Sequence, residues 1–325
     1  MENSHLARKR TPAQAPSLNE AAELFSLAQE NVWNLIAYAG RVRTKSFGDH
    51  VHLCAILNAR SGGCSEDCAF CAQSAHHRSR VEKYPLVSME KALKTARIAA
   101  SWGVRCFSLV TSGAAVRGKK ERRETLRIVG EIRSRTGLEV AASLGSADLP
   151  FLKELKDAGL STYHHNIETA PSFFTSICST HGFEERLKTL HAARDAGLTV
   201  CSGGIFGLGE TPRQRAEFAL LLRELEVNRV PVNFLHPIPG TPLEDMPLLR
   251  PTEALHILAA LRILLPEQDI LVCGGRETAL RSLQPLLFLA GANGMMVGNY
   301  LTTAGPGFER DRQMLDDLHL KWAGA

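Results

Sequence analysis

The chain has 325 residues, 44% of them hydrophobic and 22% charged, which is typical of a soluble enzyme and excludes a disordered chain or a coiled coil. A net charge of +4 is too small and too dispersed to indicate a nucleic acid or an anionic membrane as a partner. No apolar run approaches the length of a membrane span, and residues 1–17 lack the apolar segment of a secretory signal. We therefore expect a cytoplasmic protein that contacts no membrane.

The predicted elements begin after residues 1–16, which we expect to form a flexible N-terminus. Ser17 and Glu20 form a capping-box pattern ahead of a helix predicted over residues 21–39. Eight short apolar runs then predict strands at 52–57, 104–110, 139–143, 161–166, 198–202, 230–235, 269–273 and 294–297. Amphipathic stretches between them predict helices at 89–101, 122–135, 147–158, 183–196, 212–226, 252–264 and 277–290.

Eight strand–helix units of this size favour a (β/α)8 TIM-type barrel with an N-terminal helix and a short C-terminal extension. A doubly wound sheet is the alternative. Because the sequence contains no linker and no low-complexity tract, we expect residues 17–325 to form a single domain.

Eight cysteines are the unusual feature of the composition. A reducing cytoplasm disfavours disulfides and leaves metal binding, catalysis or packing as explanations. The cysteines form one tight trio and five dispersed positions, at residues 54, 64, 68, 71, 106, 178, 201 and 273.

The trio lies in a glycine-led loop, residues 62–71, that follows the first predicted strand with the spacing C-x3-C-x2-C. Three thiolates so close together can converge on one metal centre, and soft thiolates favour an iron–sulfur cluster or zinc. Three ligands leave one iron of a cubane cluster open to a substrate or cofactor. A zinc knuckle with His76 or His77 as fourth ligand, or simple packing, are the alternatives.

The spacing, with Phe70 just before the last cysteine, resembles the radical S-adenosylmethionine (SAM) superfamily. The resemblance implies that Cys64, Cys68 and Cys71 hold a 4Fe-4S cluster. It also implies that SAM binds the open iron and that one-electron reduction cleaves SAM to a 5′-deoxyadenosyl radical.

Within that superfamily the chain resembles the biotin synthases, through the segments at 64–74, 163–169, 201–210, 231–234, 240–243, 274–277 and 291–293. The resemblance implies sulfur insertion between C6 and C9 of dethiobiotin. It assigns cofactor contacts to Phe70, Asn166, Glu168 and Glu210, and substrate contacts to Asn166 and Asn233. It further implies an electron donor such as flavodoxin or ferredoxin, and a homodimer.

The residues themselves agree with this placement. Polar or reactive side chains fall at the ends of predicted strands, where a (β/α)8 barrel builds its active site: Asn166, Glu168, Cys201, Asn233 and Arg276. The plain alternatives are that Asn166 forms a turn, Glu168 caps a helix and Arg276 makes a surface ion pair.

The chain departs from the family at the second cluster, which biotin synthases hold with three cysteines and an arginine. Cys201 and Arg276, the expected catalytic residues, match that set. Ser108 and Ala141 stand where the other two cysteines belong. One thiolate and an arginine would not hold a cluster.

Other cysteines offer a replacement set, and this pattern resembles a second type of biotin synthase found in anaerobic lineages. We expect an auxiliary iron–sulfur cluster on Cys54, Cys178, Cys201 and Cys273, with Arg276 as a neighbouring partner. Cys106 is then left over as a core residue.

Two other functions stay open at this stage. A related radical SAM barrel without sulfur insertion, acting in hydrogenase maturation or methylornithine formation, fits the loss of cysteine at 108 and 141. A non-catalytic iron–sulfur or zinc regulatory protein is the third reading.

Overall fold

The computed structural model describes residues 16–323, and a closed parallel sheet is its central element. The strands are β1 (His52–Arg60), β2 (Cys106–Thr111), β3 (Glu139–Ser143), β4 (Leu160–His164), β5 (Thr199–Cys201), β6 (Gly204–Phe206), β7 (Arg229–Phe234), β8 (Asp269–Val272) and β9 (Gly294–Met296). Their order is β5-β4-β3-β2-β1-β9-β8-β7-β6, and a further β5–β7 pairing closes the ring. This confirms the predicted (β/α)8 TIM-type barrel.

One predicted strand is interrupted. Residues 199–201 and 204–206 pair with the same neighbour, β7, so β5 and β6 share one of the eight barrel positions. Pro231 lies between the two pairing segments of β7 and has no N–H to donate to a ladder. The backbones also approach closely, because a Cβ on Gly203 would lie 1.9 Å from the Pro231 carbonyl oxygen. The sequence prediction missed residues 204–206 for this reason.

Helices alternate with the strands. They are α1 (Leu18–Leu24), α2 (Gln29–Phe47), α3 (Met89–Ser101), α4 (Lys119–Thr136), α5 (Leu149–Asp157), α6 (Pro171–Phe174), α7 (Phe183–Asp195), α8 (Pro212–Glu224), α9 (Pro251–Leu264), α10 (Arg276–Leu280), α11 (Leu286–Leu289) and α12 (Phe308–Asp317). The helix predicted at 277–290 is broken into α10, a 3-10 turn and α11. Arg281 has a φ of 51° and Pro285 follows, and neither fits a continuous helix.

The N-terminal helix is also split. The capping box is confirmed, since the Glu20 amide donates to Ser17 Oγ and the Ser17 amide donates to the Glu20 carboxylate. The helix predicted over 21–39 divides into α1 and α2 because α1 packs on α8 whereas α2 packs on α9. One straight helix could not contact both. The predicted flexible segment 1–16 lies, apart from Pro16, outside the described residues.

The barrel strands have two distinct faces. In β1 the buried side chains Leu53, Ala55 and Leu57 join the apolar core between sheet and helices. The alternate residues Cys54 and Ile56 pack instead with side chains from β8 and β9 inside the barrel. Among the described residues no helix is long and apolar enough to cross a membrane.

Candidate functional site

The loop after β1, residues 61–75, carries three cysteines at the mouth of the barrel; we call it the rim loop. It closes on itself, because the Cys64 amide donates to the Gln73 carbonyl at 3.0 Å and the Ala75 amide donates to the Cys64 carbonyl at 2.7 Å. The Gln73 side chain accepts from the Gly62 amide at 3.1 Å. Gly62 and Gly63 turn the chain with φ of 72° and 65°, a region that disfavours other residues.

The sulfur atoms of the rim loop have donors that suit thiolate ligands. The Glu66 amide lies 3.5 Å from Cys64 Sγ, and Arg186 Nη2 lies 4.0 Å from Cys68 Sγ. Burial raises the pKa of the Cys71 thiol to about 11, so a metal must displace its proton. The three cysteines therefore fit an iron–sulfur cluster, whose charge such donors stabilise.

The two histidines of the loop bond to backbone instead of sulfur. His76 Nε2 lies 2.9 Å from the Ser65 carbonyl oxygen, and His77 Nε2 lies 3.0 Å from the Cys68 carbonyl oxygen. This arrangement gives no support to the zinc knuckle considered above. Phe70 packs with the apolar group beneath the loop, which includes Phe174 and Leu208.

Asn166 and Glu168, just beyond β4, belong to one polar network. Asn166 Nδ2 donates to Glu168 Oε2 at 3.2 Å, and Asn166 Oδ1 accepts from His164 Nε2 at 2.8 Å and from the Gly203 amide at 3.1 Å. Arg186 Nη1 lies 3.8 Å from the Glu168 carboxylate. Burial nevertheless raises the pKa of Glu168, because desolvation outweighs the nearby guanidinium.

The backbone of Glu168 is strained. Its φ is 66°, and both its amide and its carbonyl are held by the turn between β5 and β6, at Gly203 and Ile205. The glycines at 203 and 204 allow this approach, since a Cβ on Gly204 would lie 2.1 Å from the Glu168 carbonyl oxygen. Their role is close backbone packing.

Asn233 joins the ends of three strands. Its Nδ2 donates to the Gly204 carbonyl at 3.2 Å, and its Oδ1 accepts from the Gly274 amide at 2.9 Å. The side chain is half-buried at the carboxyl end of β7. Ser202, at the turn before Gly203, is fully buried and its hydroxyl has no hydrogen-bond partner in the structure.

Glu210 is held by several hydrogen bonds within the protein. Its buried carboxylate accepts from the Gly207 amide at 3.0 Å, the Leu208 amide at 2.8 Å and Arg215 Nε at 2.8 Å. These bonds occupy both oxygens and fix the turn that follows β6. The structure therefore gives Glu210 a positioning role in that turn.

Four cysteines meet inside the barrel, below the rim loop, and we call them the lumen quartet: Cys54, Cys106, Cys201 and Cys273. Cys54 and Cys106 are in register on β1 and β2. The interaction between the two thiols lowers the pKa of Cys106 to about 5 and, together with burial, raises the pKa of Cys54; Cys273 and Cys201 add smaller contributions in the same direction. Burial raises the pKa of Cys273 to about 12 and also raises that of Cys201.

Arg229, the first residue of β7, lies beside the quartet. Its Nη1 is 3.9 Å from Cys106 Sγ and donates to Thr162 Oγ1 at 3.2 Å, and its Nη2 donates to Glu139 at 3.0 Å. Only 13% of its side chain is exposed. A buried guanidinium next to thiols favours their thiolate form.

Two expected members of the second site lie elsewhere. Cys178 packs under the rim loop, with its Sγ 3.8 Å from Cys68 Sγ. It therefore does not join Cys54, Cys201 and Cys273 as expected. Cys106, opposite Cys54 on the neighbouring strand, is the fourth cysteine of the lumen. Cys178 lies beyond α6, in the segment that leads to α7. Arg276 donates to Asp311 at 2.6 Å and 2.8 Å, and to Gln284 at 2.8 Å, so its guanidinium ties α12 to the barrel.

Sequence reasoning assigned Cys106 to the core and did not single out Arg229. A usable signal existed for both. Cys106 precedes Ser108 by two residues in a strand, which places the two side chains on the same face, and Arg229 is a charge at the start of an apolar strand.

Comparison with known proteins identifies the family. Residues 59–222 match the Radical SAM superfamily, and residues 231–321 match the Biotin and Thiamin Synthesis associated domain. The chain is 51% identical over 302 residues to biotin synthase of Geobacter sulfurreducens, covering 93% of this chain and 92% of the relative. It is 49% identical over 304 residues to biotin synthase of Pelotomaculum thermopropionicum, covering 94% of each chain.

Solved structures agree on the architecture. A crystal structure of methylornithine synthase superposes with a TM-score of 0.84 at 20% identity and covers 95% of both chains. The FeFe-hydrogenase maturase of Carboxydothermus hydrogenoformans has a TM-score of 0.79 at 20% identity, covering 94% of this chain and 76% of the other. These likenesses concern the fold alone. By the matches in sequence, with the three rim cysteines in place, the chain belongs to the biotin synthase family of the radical SAM superfamily.

Proposed function

We infer that this chain is a radical SAM sulfurtransferase that inserts sulfur between C6 and C9 of dethiobiotin to form biotin. The observation that carries the proposal is the presence of two separate sets of cysteines in one barrel. The rim loop offers three cysteines that leave a cluster site open, and the lumen quartet lies deeper on four different strands or strand ends. Sulfur insertion needs both a radical source and a sulfur donor.

The rim loop would hold the 4Fe-4S cluster through Cys64, Cys68 and Cys71. When bound, that cluster and SAM supply the one-electron chemistry that activates an unreactive carbon. The protein supplies the remaining parts: the Glu66 amide and Arg186 stabilise the thiolates, and Phe70 and its apolar neighbours shield the loop from water.

The lumen quartet would hold the auxiliary iron–sulfur cluster that donates sulfur. Buried thiolates from separate strands with a guanidinium close by suit such a cluster. Cys201 belongs to both the family set and the quartet. Arg229 takes the position beside the sulfurs, while Arg276 acts on the site by holding α12.

Asn166, Glu168 and Asn233 would bind the organic ligands. Glu168 is mostly buried and has a strained backbone, which is frequent at functional sites. It lies close to the rim loop, since Arg186 is 3.8 Å from its carboxylate and 4.0 Å from Cys68 Sγ. Asn166 and Glu168 suit SAM. Asn233, further round the barrel mouth, offers an amide that matches the donors and acceptors of a urea ring.

A radical SAM reaction without sulfur insertion is the second candidate. The observation in its favour is that Ser108 and Ala141 occupy lumen positions where cysteine would complete the usual set. Against it stands the lumen quartet, for which such a reaction has no use.

Further features of the working protein are part of the proposal. We expect one domain over residues 17–325, because both family matches fall on a single continuous sheet. Eight free cysteines among the described residues suit a reducing cytoplasm. A flavodoxin or ferredoxin as electron donor and a homodimer are proposed from the family.

The test is anaerobic reconstitution followed by counting of iron and sulfide per chain, with mass spectrometry of products after incubation with SAM, a reductant and dethiobiotin. Biotin together with 5′-deoxyadenosine supports the proposal. SAM cleavage with no biotin, in a protein that carries both clusters, would favour the second candidate.

A further inference from the structure

Cys178, excluded from the lumen, lies in a constellation of its own. Its Sγ is 3.8 Å from Cys68 Sγ, one of the rim cysteines. The segment that carries it is anchored to the rim loop by Asp67, whose Oδ1 accepts from the Ser179 amide at 2.9 Å and the Thr180 amide at 3.2 Å. The proximity of the two sulfurs is therefore built into the fold.

His181 adds a third ligand atom. Its Nε2 lies 3.9 Å from Cys178 Sγ, and one ligand atom each of Cys68, Cys178 and His181 all lie within 4.8 Å of one another. The other ring nitrogen, Nδ1, donates to Glu66 Oε2 at 2.6 Å. A carboxylate bonded to one nitrogen orients a histidine whose other nitrogen binds the metal.

The spacing suits one ion. Two thiolates bound to a tetrahedral ion at about 2.3 Å lie roughly 3.8 Å apart, and a thiolate and an imidazole nitrogen roughly 3.5 Å. The observed separations are 3.8 Å between the two sulfurs and 3.9 Å between Cys178 Sγ and His181 Nε2. Thiolates on different irons of a cubane lie farther apart, so Cys178 is badly placed as an additional ligand of the rim cluster.

The charges around the group favour a cation. Glu66 and Asp67 lie within hydrogen-bonding distance of His181 and Cys178, respectively. Arg186, 4.0 Å from Cys68 Sγ, is the opposing positive charge, and it stabilises the thiolate form that a metal requires. The side chains of Cys68 and Cys178 are buried, which limits competition from water.

We propose that Cys68, Cys178 and His181 form a mononuclear Zn²⁺ site in the cluster-free protein, and that an ion bound there prevents Cys68 from joining Cys64 and Cys71 on a cluster. Two thiolates and an imidazole are a ligand set that Zn²⁺ prefers. Because one cysteine is shared, zinc occupancy and assembly of the rim cluster exclude each other. The site makes loading of the enzyme sensitive to the supply of zinc.

The first experiment titrates full-length, reduced, cluster-free protein with Zn²⁺ against a chromophoric chelator under anaerobic conditions. We expect Cys178→Ala and His181→Ala to weaken binding of one equivalent by about 100-fold or more, since each removes one of three protein ligands. Cys64→Ala is the matched control and should bind like the unaltered chain. The lumen quartet is the same in every variant and contributes a constant background.

The outcomes separate two locations for the ion. If Cys64→Ala loses the equivalent and Cys178→Ala keeps it, zinc sits on the three rim cysteines and the proposal is wrong. Equal binding by all variants also overturns it. Co²⁺ substitution gives a second readout, because loss of Cys178 should weaken the sulfur-to-cobalt absorption while circular dichroism reports that the fold is retained.

The second experiment follows cluster assembly by its visible absorption after one equivalent of Zn²⁺ has been added. Assembly of the rim cluster should be slowed in the unaltered chain and not in His181→Ala, which leaves all three rim cysteines intact. Equal inhibition in both proteins would show that zinc does not act through this site.

Discussion

The rim loop and the lumen quartet are both groups of thiols, yet the chain builds them in opposite ways. The rim cysteines come from eight consecutive residues, 64–71, and the loop that carries them is closed by local hydrogen bonds. The quartet draws its members from positions 54, 106, 201 and 273, which are far apart in the sequence and come together through the barrel. A local motif can be predicted from the spacing of its residues in the sequence. A site assembled by the sheet can be predicted only when the pairing of the strands is known.

The two groups also differ in their electrostatic surroundings. Rim sulfurs are approached by a backbone amide and a guanidinium near the mouth of the barrel. Three of the four quartet cysteines are buried, Cys54 and Cys273 pack among apolar side chains, and Arg229 is the positive charge beside Cys106. The rim is therefore the more accessible of the two groups to a cofactor, and the lumen is the more shielded from water.

Removal of a rim cysteine should have the largest effect. Cys64→Ala should reduce 5′-deoxyadenosine formation to the level seen without enzyme, because two thiolates cannot hold the cubane. The product is measured by liquid chromatography with SAM and reductant. Ser65→Ala, on the same loop, is the control and should retain cleavage. If the Cys64 variant still cleaved SAM, the rim cysteines and the lumen quartet could not be assigned separate functions.

A change in the lumen quartet should separate biotin formation from SAM cleavage. Cys106→Ala should abolish biotin and lower bound iron by up to about four atoms per chain, while SAM cleavage continues at the rim. Iron analysis and product assays on the same sample measure both effects. Cys178→Ala is the comparison variant for the lumen and should leave the auxiliary iron in place. The reverse pattern, with iron lost in Cys178→Ala only, would restore the set expected from the sequence.

A third change tests the fold around the lumen. Arg276→Ala should lower the free energy of unfolding by about 3 kcal/mol, because Asp311 is left buried without its partner. Denaturant unfolding measures the loss. The double variant Arg276→Ala, Asp311→Ala should lose less, since no unpaired charge remains. Equal losses in single and double variants would mean that the ion pair contributes little.

The smallest expected effect is that of a change at Asn233, at the mouth of the barrel. Asn233→Ala should weaken dethiobiotin binding by about tenfold, through loss of one or two hydrogen bonds. It should also cost about 1 kcal/mol of stability, because Asn233 bridges Gly204 and Gly274. Calorimetry with dethiobiotin measures the affinity. An unchanged affinity for dethiobiotin would remove Asn233 from the substrate site.

Much of the fold was predictable because the local periodicity of apolar residues indicates strands and helices. The exceptions depend on tertiary contacts. The split of the N-terminal helix depends on which helix each half meets, and the break at 202–203 depends on Pro231 in a neighbouring strand. The site followed the same division: the rim trio was evident from spacing, while the approach of Cys106 to Cys54 and Arg229 depends on how the strands pair. Cys178 shows the opposite error: the sequence placed it in the lumen, whereas its sulfur lies beside Cys68 of the rim loop.

The contact between the Glu168 carbonyl and Gly204 has a consequence for how this protein can change in evolution. A side chain at 204 would collide with the backbone of Glu168, which is itself held in a left-handed conformation by the same turn. The two segments therefore constrain each other, and neither can drift alone. In a saturation library position 204 should tolerate glycine only, whereas Gly182, with no neighbouring atom within 4 Å of an added Cβ and no left-handed φ, should accept many residues.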